Sequence, residues 1–182
     1  MCASGIRTGE ALQMKWRDVI EYTTLNDFQV VRFFVQVTHS KVKKRREVIG
    51  MPEASTALKR LYKSRQENEF GLDGGDYSKP TDYIFCDTNG KRFGDLREGW
   101  CSMLEGAGVG LDLEGNRYTP YCCRHWFITD IIRRSKVDPY IVAKNCGTSL
   151  AMLQGYYDDT TSIDHAKQMT DGLPFYLKED HY

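Results

Sequence analysis

Neither sign of charge dominates this chain. Lys and Arg number 25 and Asp and Glu number 25 over 182 residues, so no global positive field announces a polyanionic partner and any nucleic-acid contact must be local. Paired cysteine spacing is missing too. The six cysteines at 2, 86, 101, 122, 123 and 146 form no framework, and there is neither a secretory leader nor a long apolar run. These absences predict free thiols, a reducing cytoplasmic setting and no membrane. The cluster Cys122-Cys123-Arg124-His125 lacks the two-residue gap that lets both thiolates face one ion, so no metal is expected there. The stretch DTNG at 87–90 lacks the other acidic ligands of a calcium loop and reads as a turn. No internal repeat and no second domain are visible. With 41% hydrophobic residues, the length sustains one core.

What is present concentrates between Thr119 and Tyr157. Thr119 can cap a helix with Pro120 in its first turn, and the free N–H groups and positive dipole end there favour an anion near Arg124. Further on, Gly147 can end a second helix and Ser149 can cap a third that carries Tyr156 and Tyr157. An arginine near a helix start usually pairs at a surface, and tyrosines at helical spacing from Leu150 and Leu153 usually pack. The combination matters because no obvious acid pair or metal cluster accompanies it.

Elsewhere the pattern is of short elements. A turn at Ser4-Gly5 leads into a helix with Ile6, Leu12 and Trp16 near one face and Glu10 one turn after Arg7, an ion pair worth a few tenths of a kcal/mol if exposed. Residues 28–37 read as a strand, Val31, Phe33, Val35 and Val37 on one side and Arg32 and Gln36 on the other. Val48 and Ile49 offer the return strand. The run 41–46, five of whose six residues are cations, then sits at the hairpin tip, where it is either solvated edge protection or a probe into a nucleic-acid groove. Helices follow at 53–68, with Leu58, Leu61 and Tyr62 inward, and at 94–106, with a small hairpin turning at Asn89-Gly90 between them. A glycine-rich link leads to Thr119, and the last 25 residues hold a short helix at 161–171 and an apolar patch in a charged tail. The abrupt start predicts a fragment.

Four stretches in order resemble the tyrosine recombinases, the phage integrase family. SGIRTGEALQMKW is similar to the first box, T-G-x-R-x-x-E-x-x-x-L with a tryptophan beyond. SKVKKRREVIG resembles the hairpin T-K-t-g-k-x-R-x-V-P-L, TPYCCRHWF the box H-x-L-R-H-t-F, and CGTSLAMLQGYY the L-G-H-S box that precedes the nucleophile. The resemblance implies a mixed α/β (α+β) catalytic domain, mostly helical around a small antiparallel sheet, with an upstream DNA-gripping domain and the first part of the catalytic domain absent. It implies site-specific cleavage and rejoining of double-stranded DNA through a 3′-phosphotyrosyl intermediate, in a bacterial or phage-infected cell. A tetramer on two DNA sites is expected of the full-length protein and a monomer of a free fragment. The alternatives are relaxation of DNA like a type IB topoisomerase, or a DNA-binding remnant without catalysis.

Carried over by position, the resemblance makes Arg7 and Arg124 the phosphate-clamping arginines, Lys41 the hairpin acid, Glu10 a supporting carboxylate and Tyr157 the nucleophile, with Tyr156 as the alternative. Lys43, Lys44, Arg45 and Arg46, and Arg133, Arg134 and Lys136, are the expected DNA contacts. Two positions depart from the pattern. Tyr121 stands where the family has histidine, and Thr148 where it has histidine or tryptophan; each keeps one hydroxyl donor. The chemistry suits these residue types: a phenol with a pKa of about 10 attacks phosphate poorly, and two guanidiniums can stabilise the added negative charge without Mg²⁺. The tyrosyl bond stores the energy for rejoining, so neither ATP nor another cofactor is needed.

Overall fold

The structure is a computed structural model that describes residues 1–23, 29–36, 38, 45–68, 77–134 and 137–157. Val19–Thr23 (β1), Gln29–Val35 (β2) and Arg46–Gly50 (β3) form an antiparallel sheet in the order β1-β2-β3, with Phe33 opposite Val19 on one side and Val48 on the other. Alternation in β2 sends Val31, Phe33 and Val35 into the core as expected. Arg32 faces the other way and pairs with Glu47. Val37 and the helix at 161–171 lie outside the described residues.

The first box is less helical than its periodicity predicts. Only Thr8–Ala11 (α1) is helical, and Trp16 starts a single 3₁₀ turn, Trp16–Asp18. Tertiary pairing overrides the pattern: Met14 O accepts from Ile84 N (3.1 Å), and Lys15 bridges to Tyr83, so the chain must be extended there. Asp18 then receives the Lys15 N–H and the Gln36 amide, tying this turn to the end of β2. β1 forms where the sequence pattern sets out no strand. The Ser4-Gly5 turn does form, with Gly5 at φ 63°, where a Cβ would come within 2.6 Å of Cys146 Sγ and of the Phe127 ring.

One face of the sheet is covered by Pro52–Gln66 (α2) through Ala54, Leu58 and Leu61. Tyr62, expected inward, lies at the rim, edge-on to Trp16. The buried Arg65 donates to Ile84 O and to Cys86, anchoring α2 to the hairpin around Asn89-Gly90, which forms as predicted. Arg97–Gly106 (α3) has no buried residue, and the glycine-rich link after it is a small hairpin closed by Leu111 and Arg117. Tyr121–Arg134 (α4), Pro139–Cys146 (α5) and Leu150–Tyr157 (α6) enclose a second apolar cluster of Phe127, Ile128, Val142, Ala143, Cys146 and Leu153. The α+β architecture is thus the one expected. Among the described residues no helix is long and apolar enough to cross a membrane.

Ile128 is wholly buried in this second cluster, whereas Leu113 is fully exposed. Ile128→Ala should therefore lower the unfolding free energy by about 2–5 kcal/mol and Leu113→Ala by less than about 0.5 kcal/mol, as read by urea denaturation.

Candidate functional site

Helix α4 carries Arg124, Phe127, Ile128 and Ile131 on one stripe, so its inward face holds a cation among apolar neighbours. Arg124 is only 2% exposed. Burial on that scale is tolerable only if the guanidinium finds acceptors. Its Nη1 donates to the carbonyls of Gly5 and of Cys146, while its Nε has no partner among the described residues. The helix itself starts at Tyr121, and Thr119 contributes its carbonyl to the Cys122 N–H.

Arg7 approaches from the N-terminal segment. Its Nη1 lies 3.1 Å from Glu10 Oε1, its own N–H is received by Glu10 Oε2, and its Nη2 donates to Gly147 O. Far from being an exposed helix pair, this carboxylate is 2% exposed. A second cation shares it. Arg46 Nη2 sits 2.6 Å from Glu10 Oε2 and also reaches Cys146 O at 3.3 Å. Burial draws the Arg46 guanidinium below its ordinary value; Glu10 opposes this, and Arg7 and Arg124 add to it. Three guanidiniums against one carboxylate leave two net positive charges in a chain whose overall charge is zero.

The arginines converge on one corner. Asp138 caps α5 by accepting from Tyr140 N, Pro139 fills the first turn, and Gly147 ends the helix in the left-handed region at φ 65°. Ser149 Oγ then accepts from Met152 N and starts α6. This stop and restart is the one expected from Gly147 and Ser149. Asn145, which sequence reasoning passed over, fixes the corner to β3: its side chain receives the Ile49 N–H (2.7 Å) and donates to Ile49 O and Ser4 O. Thr148 is half-buried at the junction, its N–H on Ala143 O. Tyr156 and Tyr157 are the last residues of α6.

Tyr121 and His125 flank Arg124 on α4 as their spacing predicts. Their rings meet edge to face at 4.8 Å, and the Arg124 guanidinium lies 6.0 Å from the Tyr121 ring centre. Partial burial, helped by the Arg124 charge, holds the His125 imidazole below its usual pKa and therefore neutral at pH 7.

Of the predicted residues, the structure brings together Arg7, Glu10 and Arg124, with Tyr121 beside Arg124 and Thr148 at the corner. Arg46 is a correction: expected as a surface DNA contact at the hairpin tip, it lies on the inward side of β3 with Val48 and Gly50, its side chain 11% exposed and bound to Glu10. The period-two alternation from Val48 could have revealed this. Arg45 remains exposed, over the Phe34 ring. Arg133 and Arg134 are exposed at the far end of α4, Arg134 paired with Asp130 and about 15 Å along the helix from Arg124. Lys41, Lys43, Lys44 and Lys136 lie outside the described residues. An apolar cavity of about 340 Å³ behind the N-terminal segment is lined by none of the arginines of the cluster.

The Phage integrase family matches residues 1–162 of the chain. No curated protein sequence matches. Among solved structures the chain is similar to XerA recombinase, at 23% identity and TM-score 0.58, over 100% of this chain and 55% of that one. It is similar to the XerH site-specific recombinase bound to palindromic difH substrate in a post-cleavage complex, at 20% identity and TM-score 0.60, over 93% and 42%. It is also similar to the Tn1549 transposon integrase in complex with circular intermediate DNA, at 18% identity and TM-score 0.60, over 92% and 54%. At these identities the likeness is one of fold, and the chain spans about half the length of the structures it matches.

Removing the shared carboxylate leaves buried cations uncompensated, so Glu10→Ala should cost about 3–5 kcal/mol of stability by denaturant unfolding. For His125 the folded pKa lies below the unfolded value of 6.5, so its contribution is present above 6.5 and is lost as pH falls through the lowered value. Thermal melts from pH 7.5 down to 5 should show a smaller loss of stability in His125→Gln than in the wild type.

Proposed function

Because the chain belongs to the phage integrase family, we propose that it is a tyrosine recombinase catalytic domain that cleaves and rejoins double-stranded DNA in site-specific recombination. The observation that carries this reading is the local excess of positive charge at the corner that launches α6. An anionic phosphodiester is the ligand such a cluster favours, and guanidiniums bind phosphate oxygens two at a time. The helix whose last residues are Tyr156 and Tyr157 begins three residues beyond the Gly147 carbonyl that Arg7 holds.

In the proposed reaction the Tyr157 phenol gives its proton to solvent and its oxygen attacks phosphorus as the bond to the 5′ oxygen breaks, forming a 3′-phosphotyrosyl ester and a free 5′ hydroxyl. Arg7 and Arg124 stabilise the charge that accumulates on the phosphoryl oxygens. Arg7 is the more accessible of the two, its side chain 22% exposed, and Arg124, at 2%, supplies fixed buried charge. Lys41 delivers the proton to the leaving oxygen. Tyr121 takes the orienting donor role that a histidine has in the family pattern, since a phenol donates a hydrogen bond well but accepts a proton poorly at neutral pH. Thr148 offers the second hydroxyl. Lys43, Lys44, Arg45, Arg133 and Arg134 provide phosphate contacts flanking the cluster, and the full-length protein works as a tetramer on two DNA sites. Rejoining reverses the chemistry with a different 5′ hydroxyl, and no cofactor enters.

Incubation with a nicked suicide DNA duplex is the test. The wild type should form a covalent adduct that maps to Tyr157, Tyr157→Phe should form none, and Tyr156→Phe should keep most of it. No adduct with any duplex bearing a functional site would overturn the assignment, and loss in Tyr156→Phe alone would move the nucleophile by one residue.

A further inference from the structure

Arg46 is the least explained part of the cluster. Its side chain leaves β3, the strand that follows the basic run, and crosses to a carboxylate on α1 and a carbonyl on α5. Its Nη2 is 2.6 Å from Glu10 Oε2, the oxygen that also takes the Arg7 N–H. Nε and Nη1 are buried without a partner among the described residues, and a Cβ on Gly147 would collide with Nε and come within 2.9 Å of Cζ. A chain that wanted only a structural tie here would not leave two buried donors unspent. It would not need a glycine to admit the guanidinium either.

We infer that Arg46 is a positioning residue for strand cleavage: by sharing Glu10 with Arg7 and filling the space at Gly147, it sets the orientation of the Arg7 guanidinium and the start of α6 relative to the scissile phosphate. The inference rests on the strand-transfer reading above. Glu10 has two oxygens; Arg7 Nη1 takes Oε1 and Arg46 takes Oε2, so the carboxylate plane is held at both ends. Without Arg46 the carboxylate can turn toward Arg7 alone and pull that guanidinium off the position in which it meets phosphate. Gly147 O, which Arg7 also holds, and Cys146 O, which Arg46 and Arg124 share, would shift together. The same contacts join β3 to the corner from which α6 starts, so the strand and the helix that ends at Tyr156 and Tyr157 are held to each other by one guanidinium. A misplacement of about 1 Å at a site of this kind costs about 100-fold in rate.

The test compares wild type, Arg46→Ala and Arg46→Lys in single-turnover adduct formation on the nicked suicide duplex, with DNA affinity measured over a salt series. In Arg46→Ala the rate constant should fall about 100-fold while the adduct endpoint and the salt slope of binding stay at wild-type values. Arg46→Lys, which keeps a cation for Glu10 but loses the planar fork, should recover part of the rate. A second variant, Gly147→Ala, displaces the guanidinium without removing it and also strains the left-handed backbone at φ 65°, so its rate should fall at least as far as that of Arg46→Ala. A salt slope lowered by about 0.9 in Arg46→Ala would make Arg46 a DNA contact and overturn the inference, as would a fall in endpoint at unchanged rate, the mark of a purely structural role. An adduct-forming wild type beside unaffected Arg46 variants sinks this inference alone. A wild type that forms no adduct sinks the strand-transfer reading itself.

Discussion

The arginine cluster depends on one buried carboxylate. Glu10 lies between Arg7 and Arg46, and Arg124 stands close enough for its charge to be felt at Arg46. Opposite charges about 4 Å apart interact by about 4 kcal/mol at an effective dielectric near 20, so one carboxylate can hold two guanidiniums but leaves the cluster cationic. Burying a third cation then requires neutral acceptors. For Arg124 the fold supplies the backbone carbonyls of Gly5 and Cys146, and Arg7 takes that of Gly147, so the acceptors come from the two segments that have to meet. Charge, in this way, fastens the N-terminal segment, β3, α4 and α5 to one another.

That arrangement explains why the two apolar clusters can be separate. The sheet and α2 bury one set of side chains, and α4, α5 and α6 bury another. Between them run polar contacts, chiefly the arginines and the Asn145 side chain on the Ile49 backbone. A polar seam of this kind is geometrically exacting, because each donor has a direction, and it is costly to leave half made. It therefore specifies how the two halves meet better than an apolar contact of the same area would.

Two glycines make the seam possible, for different reasons. Gly5 turns the chain with a positive φ while admitting Cys146 and Phe127 against its backbone; Gly147 turns it out of α5 while admitting Arg46. A side chain at either position would add strain and push away the residue it meets. The two turns face each other across Arg124, whose Nη1 reaches both the Gly5 carbonyl and the Cys146 carbonyl next to Gly147.

The sequence by itself determined the elements whose signals are local. The alternation of Val31, Phe33 and Val35 defines a strand, Gly147 ends a helix, Ser149 begins another, and Asn89-Gly90 closes a hairpin. Each follows from backbone preference or from a period that does not depend on distant residues. The family boxes likewise name Arg7, Glu10 and Arg124 without any knowledge of their surroundings. Only the tertiary structure decided the rest. The periodicity around Ile6, Leu12 and Trp16 predicts a longer helix than forms, because pairing with residues 83–84 outweighs helix propensity there. Tyr62 goes to the rim, where the Trp16 ring meets it edge-on. Arg46 belongs to a run of cations that reads as solvent-facing, and its fate is set by which side of β3 faces Glu10, a register fixed by pairing with β2. Burial of a charge is a property of its partners, and those partners lie 36 and 100 residues away in the chain.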